Sequence, residues 1–232
     1  MLALSVLIGL NACASDVPTG PPPRPTVIVI TAEGPYFAGF DSPADWLVGQ
    51  SQSSHGRVEN GRYILTITEP ETIAWVHEQR AFSEGTYEVE AALQSGPEAS
   101  VFGLLLLGSS DLSSFVYCVI TGDGRYDVGY CEDGCQVQRS LIGDLTLAYA
   151  IQPGNATNFL QVTLEDGRLT LSVNGTLVSQ VNDLDYTSGL VGLIGESSIF
   201  GGFEAAFDNL RVIEALPDSP PSPEATREGG SG

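Results

Sequence analysis

The sequence predicts an all-β domain built as an antiparallel sandwich of two sheets. Three observations lead to this expectation. Apolar and polar side chains alternate along short segments, Asn-Gly and Asp-Gly pairs separate several of these segments, and no segment has a convincing helical period. About ten to twelve such segments follow one another at the ~8–12-residue spacing that is typical of sandwiches. The 27 glycines also favour strands joined by many turns.

The first group of segments shows two kinds of strand. Residues 62–68 and 86–93 alternate strictly, which predicts strands buried on one face. Glu88 and Glu90 occupy the polar face of the second segment, and we expect them to be solvated. Residues 101–107 are apolar throughout, which favours a strand buried on both faces.

A meander is the clearest local prediction. Residues 159–164, 169–173 and 176–181 each have the pattern of a strand, and Asp166-Gly167 and Asn174-Gly175 separate them. Both pairs suit type I′ turns, in which both central residues need positive φ. Outer positions are expected at Thr163, Thr170 and Ser172. Further strands are expected at residues 115–120, 125–130, 189–194 and 205–213.

The start of the chain predicts export. Residues 1–10 form an apolar run within the ~7–15 residues of a signal-peptide core and shorter than the ~20 that span a bilayer. Leu10-Asn11-Ala12-Cys13 resembles the lipobox of bacterial lipoproteins. The resemblance implies that residues 1–13 are a signal peptide and lipobox and that Cys13 is acylated. It also implies a membrane partner, through this lipid anchor at the extracellular face of the cell envelope.

Composition divides the remaining chain. Residues 14–26 are rich in Pro and predict a tether, and residues 217–232 have the composition of a disordered tail. The folded domain is expected over residues 27–216. The sequence gives no signal of an oligomer.

The charge balance narrows the partners. The formal net charge is −20, and all nine basic residues are arginines. An acidic chain repels phosphate backbones, which proteins bind through Lys and Arg, so no nucleic-acid partner is expected. Acidity of this kind serves solubility more often than a site.

Two cysteines predict a disulfide. Cys131 and Cys135 flank an Asp-Gly turn, which would bring their Cα atoms within the ~4.4–6.8 Å that a disulfide needs. Export to an oxidising environment allows such a bond to persist. Cys118 lies in an apolar segment and is expected to be a small buried hydrophobe. A zinc site at the cysteine pair is the disfavoured alternative, because no His stands near it.

Several motifs together resemble one group of proteins. They are Gly61-Arg62-Tyr63, the segment 72–75, the meander 158–181, the segment 188–193 and the closing segment 207–212. Over roughly residues 35–214 the chain resembles the concanavalin A-like jelly-roll domains of bacterial surface proteins. These are related to laminin G-like lectin domains and to the 3-keto-disaccharide hydrolase domain. The resemblance implies two antiparallel sheets of six to seven strands, one of them curved, with sugars held on the concave face or at its rim.

A glycan site is the first functional hypothesis. Trp75 and Tyr117 are the candidate aromatic platform, and His77 and Arg80 are the candidate polar partners. Trp75 and His77 share one strand face, and Tyr117 is expected to point away from the core because it faces opposite to Cys118. The alternative is that Trp75 simply fills the core.

Two other functions stay open. A laminarinase-type glycoside hydrolase needs two carboxyl groups ~5–5.5 Å apart, and Glu88 and Glu90 are the nearest candidates, although the family's complete Glu-x-Asp-x-x-Glu pattern is missing. The third hypothesis is a structural surface component that binds proteins. The residues favour a binding module over an enzyme.

Calcium is the one cofactor considered. Domains of the type that the chain resembles often bind one ion. Asp41 lies near the first expected strand and Asp208 lies in the last, and in such folds these two strands are often neighbours. The two carboxylates could therefore share a calcium ion with backbone carbonyls. The alternative is that both are solvated or cap turns.

Overall fold

The computed structural model describes residues 35–42, 46 and 51–215. These residues form strands and turns and contain no helix, so no described segment is a helix of the length and apolarity that crossing a bilayer requires. The expected signal peptide and lipobox at 1–13, the tether at 14–26 and the tail at 217–232 lie outside the described residues. They remain predictions.

The described residues form fifteen strands. In chain order they are β1 (Tyr36–Ala38), β2 (Ser54–Glu59), β3 (Arg62–Ile67), β4 (Ile73–Phe82), β5 (Gly85–Ser95), β6 (Val101–Gly108), β7 (Phe115–Thr121), β8 (Arg125–Glu132), β9 (Val137–Ser140), β10 (Thr146–Leu147), β11 (Asn158–Glu165), β12 (Arg168–Val173), β13 (Thr176–Val181), β14 (Gly189–Glu196) and β15 (Phe203–Glu214).

The strands make two antiparallel sheets. The back sheet has eight strands in the order β13-β12-β11-β5-β15-β3-β2, with β1 paired to β15. The front sheet has seven strands in the order β10-β8-β7-β6-β14-β4, with β9 paired to β8. This architecture confirms the all-β, two-sheet prediction.

The main core fills the space between the sheets. Strand periodicity places alternate side chains of both sheets there. Tyr63, Leu65 and Ile67 of β3 are buried in it, as are Cys118 and Val128 of the facing sheet. Cys118 is a free, fully buried thiol, as the sequence predicts.

The meander confirms the turn predictions. Asp166 and Gly167 have φ values of 49° and 70°, and Asn174 and Gly175 have 51° and 77°. These left-handed conformations are the ones that a type I′ turn requires. The turns fix the β11–β12 and β12–β13 registers, which put Thr163 opposite Thr170 on the outer face.

The strand count differs from the prediction. Fifteen strands form where about ten to twelve were expected, and the back sheet has eight strands where the resemblance implied six to seven. Strands β1, β9 and β10 have two to four residues each. Segments this short cannot show a period, so pairing with a longer neighbour decides them.

Candidate functional site

The outer face of the front sheet carries a second hydrophobic cluster, here called the outer-face cluster. It is separate from the main core and lies on the side of the front sheet that faces away from the back sheet. Its buried members are Leu105, Leu112, Phe115, Tyr117, Val119, Cys131, Leu190 and Ile194, and the partly buried side chains packed against it are Ile73, Trp75, Val101 and Cys135.

A loop and a disulfide-bonded hairpin contribute to this cluster. Leu112 comes from the β6–β7 loop, and Cys135 comes from the β8–β9 hairpin. The two segments meet where the Gly134 amide donates to the Ser113 carbonyl oxygen at 2.9 Å. Cys131 and Cys135 form the predicted disulfide, with their Cα atoms 4.6 Å apart.

Trp75 and Phe115 meet over the middle of the front sheet. Their ring centroids are 5.5 Å apart, although β4 and β7 are separated by β14 and β6. The small Gly192 of β14 lies beside His77 of β4, where an added Cβ would collide with backbone of β4. The rings therefore cover part of the face, and this packing limits the surface that Trp75 can offer to a ligand.

A cleft of about 270 Å³ occupies the other part of this face. We call it the polar cleft. Its lining residues are Val101, Tyr117, Val119, Asp127, Gln138, Ser140, Asp144, Leu145 and Glu196. Apolar groups from β6 and β7 therefore lie beside carboxylate, amide and hydroxyl groups, which is the mixture that small-ligand sites use.

Asp127 is held firmly within the polar cleft. The Tyr117 hydroxyl donates to Asp127 Oδ2 at 3.0 Å, and the Ser140 hydroxyl donates to Oδ1 at 2.6 Å. Gly129 permits this arrangement, because a Cβ there would collide with the Tyr117 hydroxyl and the Arg139 carbonyl oxygen. The sequence therefore places the smallest residue where the tyrosine ring crosses β8.

Glu196 stands at the end of β14. The amide of Gln138 donates to its Oε2 at 3.4 Å, a long and weak hydrogen bond. Glu196 is paired in register with Val101 of β6 and with Ile73 of β4. Its carboxylate is thus a polar group beside apolar neighbours.

Burial sets the protonation of these groups. It raises the pKa of Asp127, an effect that the hydrogen bonds from Ser140 and Tyr117 oppose and the charge of Asp144 reinforces. It also raises the pKa of Glu196, which Gln138 opposes. The pKa of the Tyr117 hydroxyl rises too, mainly through burial and then through the nearby Asp127 charge. Tyr117 therefore remains a hydrogen-bond donor across the physiological range.

The structure brings together part of the expected glycan site. Tyr117 points away from the main core as expected, but it is only 2% exposed and so cannot serve as a stacking platform. Trp75 is packed against the buried members of the same cluster. It therefore fills apolar space, although outside the main core. His77 shares the front-sheet strand with Trp75, and its Nδ1 lies 3.0 Å from the Glu78 carbonyl oxygen.

Arg80 lies apart from this group. A register shift in the β4–β14 pairing follows His77, and Arg80 binds Glu214 of the back sheet at 2.6 Å. Its guanidinium also lies 4.8 Å from the ring centroid of Phe82, which belongs to the main core. Arg80 therefore joins the two sheets, and the structure does not place it beside Trp75 and Tyr117.

The carboxylates considered for hydrolysis lie on the other sheet. Glu88 and Glu90 are on the outer face of the back sheet, as their alternation predicts. Glu88 accepts from Gln161 at 2.8 Å and lies 3.8 Å from Arg211. The polar cleft instead takes its carboxylates from β8, the β9–β10 loop and β14, at Asp127, Asp144 and Glu196.

Sequence reasoning missed most of the polar cleft. The sequence gives one indication of Asp127 as a site residue, because this carboxylate stands between apolar neighbours in a segment that becomes a buried strand. The sequence gives no such indication for Gln138 and Ser140, since β9 is only four residues long and shows no recognisable period. Glu196 follows an apolar segment at the point where the strand was expected to have ended.

Among the described residues, no further acidic side chain joins Asp41 and Asp208 as a candidate calcium ligand. β1 does pair with β15, which confirms that the first and last strands are neighbours. Asp41 follows β1 and is exposed, and Asp208 Oδ1 accepts from the Asn209 amide at 2.7 Å. Within the described residues no three or more His, Cys, Asp or Glu side chains form a group suited to a metal ion.

Comparison with known proteins identifies the architecture. No family model and no curated protein matches the chain. Among solved structures, a Bacillus licheniformis beta-glucanase has 11% identity and a TM-score of 0.60 over 79% of this chain and 100% of that chain. The fold is that of the concanavalin A-like jelly rolls.

Two further structures extend the likeness. A Crh5 transglycosylase in complex with NAG has 16% identity and a TM-score of 0.59, covering 80% of this chain and 86% of that chain. The carbohydrate-binding module CBM66 from Bacillus subtilis has 13% identity and a TM-score of 0.50, covering 76% of this chain and 93% of that chain. Both binding modules and enzymes thus share this jelly roll, and fold alone does not choose between them.

Proposed function

We propose that this protein is a non-catalytic glycan-binding protein of the cell surface and that the polar cleft is its binding site. The observation that carries the proposal is the wall of fixed polar groups around Asp127, set beside the apolar groups Val101, Val119 and Leu145. Sugars present both hydroxyl groups and apolar ring faces. A cleft with acceptors, a few donors and apolar surface can meet both.

The hydrogen bonds of Asp127 favour a structural role for this carboxylate over a catalytic one. A retaining or inverting glycosidase needs one carboxyl group free to give a proton and a second free to attack or to activate water. Both oxygens of Asp127 already accept hydrogen bonds, from Tyr117 and from Ser140. The carboxylate is therefore committed to holding the cleft wall.

Charge narrows the ligand to neutral or cationic glycans. The cleft lining includes Asp127, Asp144 and Glu196, and none of its described residues is basic. A uronic acid or a sulfated sugar would meet uncompensated repulsion there. The lipid anchor expected at Cys13 would hold this site at the extracellular face of the envelope.

A glycan-array screen of the full chain, with and without calcium, tests the proposal. Selective binding of neutral glycans is expected, and a calcium dependence would direct attention to Asp41 and Asp208. A blank array from a folded protein would contradict the proposal and favour a structural or protein-binding role at the surface.

A matched pair of variants locates the site. Gln138→Leu removes an exposed amide from the cleft wall, and we expect affinity for an array hit to fall about tenfold, the equivalent of a lost hydrogen bond. Gln180→Leu removes another exposed amide, from β13 of the back sheet, and should leave affinity unchanged. Equal affinities for the two variants in titration calorimetry would place the site elsewhere.

A further inference from the structure

Large apolar side chains are exposed mainly at one end of the sandwich. Six such side chains are strongly exposed within the described residues, and five of them lie in or beside the same set of loops. The five are Leu147 at 56%, Tyr149 at 96%, Leu177 at 58%, Ile199 at 67% and Phe200 at 78%. We call this surface the loop end. The sixth, Phe37, pairs with Arg211 toward the other end of the molecule.

Strand connections bring these loops together. The connection between β5 and β6 lies at this end, where Val101 pairs with both Glu196 and Thr121. The β14–β15 loop, which carries Ile199 and Phe200, therefore begins at the same end of the front sheet as the β7–β8 turn, and β6 lies between them. Leu147 of β10 pairs with Arg125 just after that turn.

Hydrogen bonds join the loops into one surface. Each loop donates to or accepts from the next across the end of both sheets. The bonds are Ser198 amide to Ser100 hydroxyl at 3.2 Å, Asp123 amide to Glu98 carbonyl at 3.2 Å, Gly154 amide to Gly122 carbonyl at 2.8 Å, and Asn174 side-chain amide to Ala150 carbonyl at 2.8 Å.

Tyr149 is held out from this surface on a fixed turn. The Ala148 amide donates to the Gly124 carbonyl oxygen and the Ile151 amide donates to the Ala148 carbonyl oxygen, both at 3.0 Å. The Ala150 carbonyl accepts from Asn174 on the other side. Both neighbours of Tyr149 are therefore anchored, while its ring contacts almost nothing.

Phe200 is presented in the same way. Its amide donates to the Ser198 hydroxyl at 3.2 Å, and the Gly201 amide donates to the Ser198 carbonyl oxygen at 3.2 Å. Gly201 has a φ of 128°, a conformation open to glycine and strained for other residues. The turn that exposes the ring is thus built into the sequence.

The loop end adjoins the polar cleft. Val101 and Glu196 line the cleft and are also the first and last residues of strands that meet the loops. Leu145 lines the cleft from the other side, two residues before Leu147. A glycan chain that extends from the cleft past these residues would cross the loop end.

We propose that Tyr149 and Phe200 are aromatic platforms that extend the glycan site, so that the protein binds a polysaccharide more tightly than a short oligosaccharide. The inference rests on the proposed function. Exposed aromatic rings on fixed loops bind with little cost for ordering the backbone, and their faces suit the apolar faces of sugar rings. At this end the exposed carboxylate of Glu98 again favours an uncharged polymer, whereas Asp123 is paired with Arg125 at 3.4 Å.

The test compares polymer with oligosaccharide binding by the full chain. Barley β-glucan, chitin and α-mannan serve as neutral polymers beside their tetrasaccharides, with polygalacturonate as the anionic polymer. We expect at least one neutral polymer to bind about tenfold more tightly than its tetrasaccharide, because cleft and loop end engage one chain together. The double variant Tyr149→Ser/Phe200→Ser should lose this advantage and keep tetrasaccharide affinity.

Phe37→Ser is the matched control, since it removes a large exposed apolar ring away from the loop end. It should retain the polymer advantage. Tetrasaccharide binding without a polymer advantage, or an advantage that survives in the double variant, overturns this inference and leaves the proposed function standing. Failure of both polymer and tetrasaccharide to bind overturns both. Sedimentation with phosphatidylcholine vesicles that the double variant abolishes would instead assign the loop end to a lipid surface.

Discussion

The outer faces of the two sheets have opposite characters. On the back sheet, Thr66 and Arg57 both donate to Glu204, at 2.8 and 3.0 Å. Gln161 and Arg211 similarly surround Glu88. On the front sheet, eight buried apolar or cysteine side chains make the outer-face cluster. One face is a partly exposed polar surface, and the other is a second core.

The difference explains the two kinds of strand pattern. β5 and β11 of the back sheet alternate between buried and partly exposed residues over much of their length, whereas β7 of the front sheet is buried at every position. A strand with an apolar layer on both faces shows a continuous apolar segment. The front sheet thus forms the middle of a structure with two apolar layers, and the second layer supports the cleft and its loops.

The largest expected effect comes from truncating this second layer. Leu105→Ala removes a fully buried side chain from it and should destabilise the fold by about 2–5 kcal/mol. Thr163→Ala on the outer face of the back sheet should cost less than about 1 kcal/mol. Urea unfolding measures both, and similar losses would show that the outer-face cluster is not a core.

A smaller effect should appear in the pH dependence of stability. The pKa of Asp127 is raised in the folded state, so the stability that Asp127 contributes should fall as pH rises from about 4 through the folded pKa. Asp127→Asn should lack this contribution, while the corresponding fall from Glu196 remains. In urea unfolding from pH 4 to 8, the stability of the variant relative to wild type should therefore increase with pH.

Glu204 provides the opposite case on the back sheet. Burial opposes ionisation there, but hydrogen bonds from Thr66 and Arg57 and the Arg57 charge lower the pKa. Wild type should lose this stabilisation as pH falls below about 4.3, and Glu204→Gln should not. Parallel pH profiles for the two variants would contradict the contrast between the faces.

The smallest expected effect concerns an ion pair on the solvated face. The Arg211 guanidinium lies 3.8 Å from Glu88, and the arginine side chain is 47% exposed. Arg211→Gln should change the free energy of unfolding by no more than about 1 kcal/mol, and salt should reduce the difference. A larger loss at 1 M NaCl would mean that Arg211 contributes through packing.

Prediction from sequence was strongest where the signal is local. The type I′ turns at 166–167 and 174–175 follow from the φ preferences of Asn, Asp and Gly. The Cys131–Cys135 disulfide follows from a five-residue hairpin. Both signals lie within a few residues and depend little on the rest of the chain.

The candidate site was predicted only in part. The facing of Tyr117 follows from strand alternation, but its burial depends on Asp127, Ser140 and the outer-face cluster. Arg80 was misplaced because it follows Trp75 by five residues, an odd separation that turns it to the opposite face of β4, toward Phe82 and Glu214.

By itself, the sequence determined the all-β class, most strand positions, the tight turns, the disulfide and the acidic surface, because each depends on neighbours along the chain. Tertiary structure alone decided which faces are covered, which carboxylates share the cleft and which loops meet at the loop end. Asp127 and Glu196, for example, are far apart in sequence, and line one cleft only because β8 and β14 belong to the same sheet.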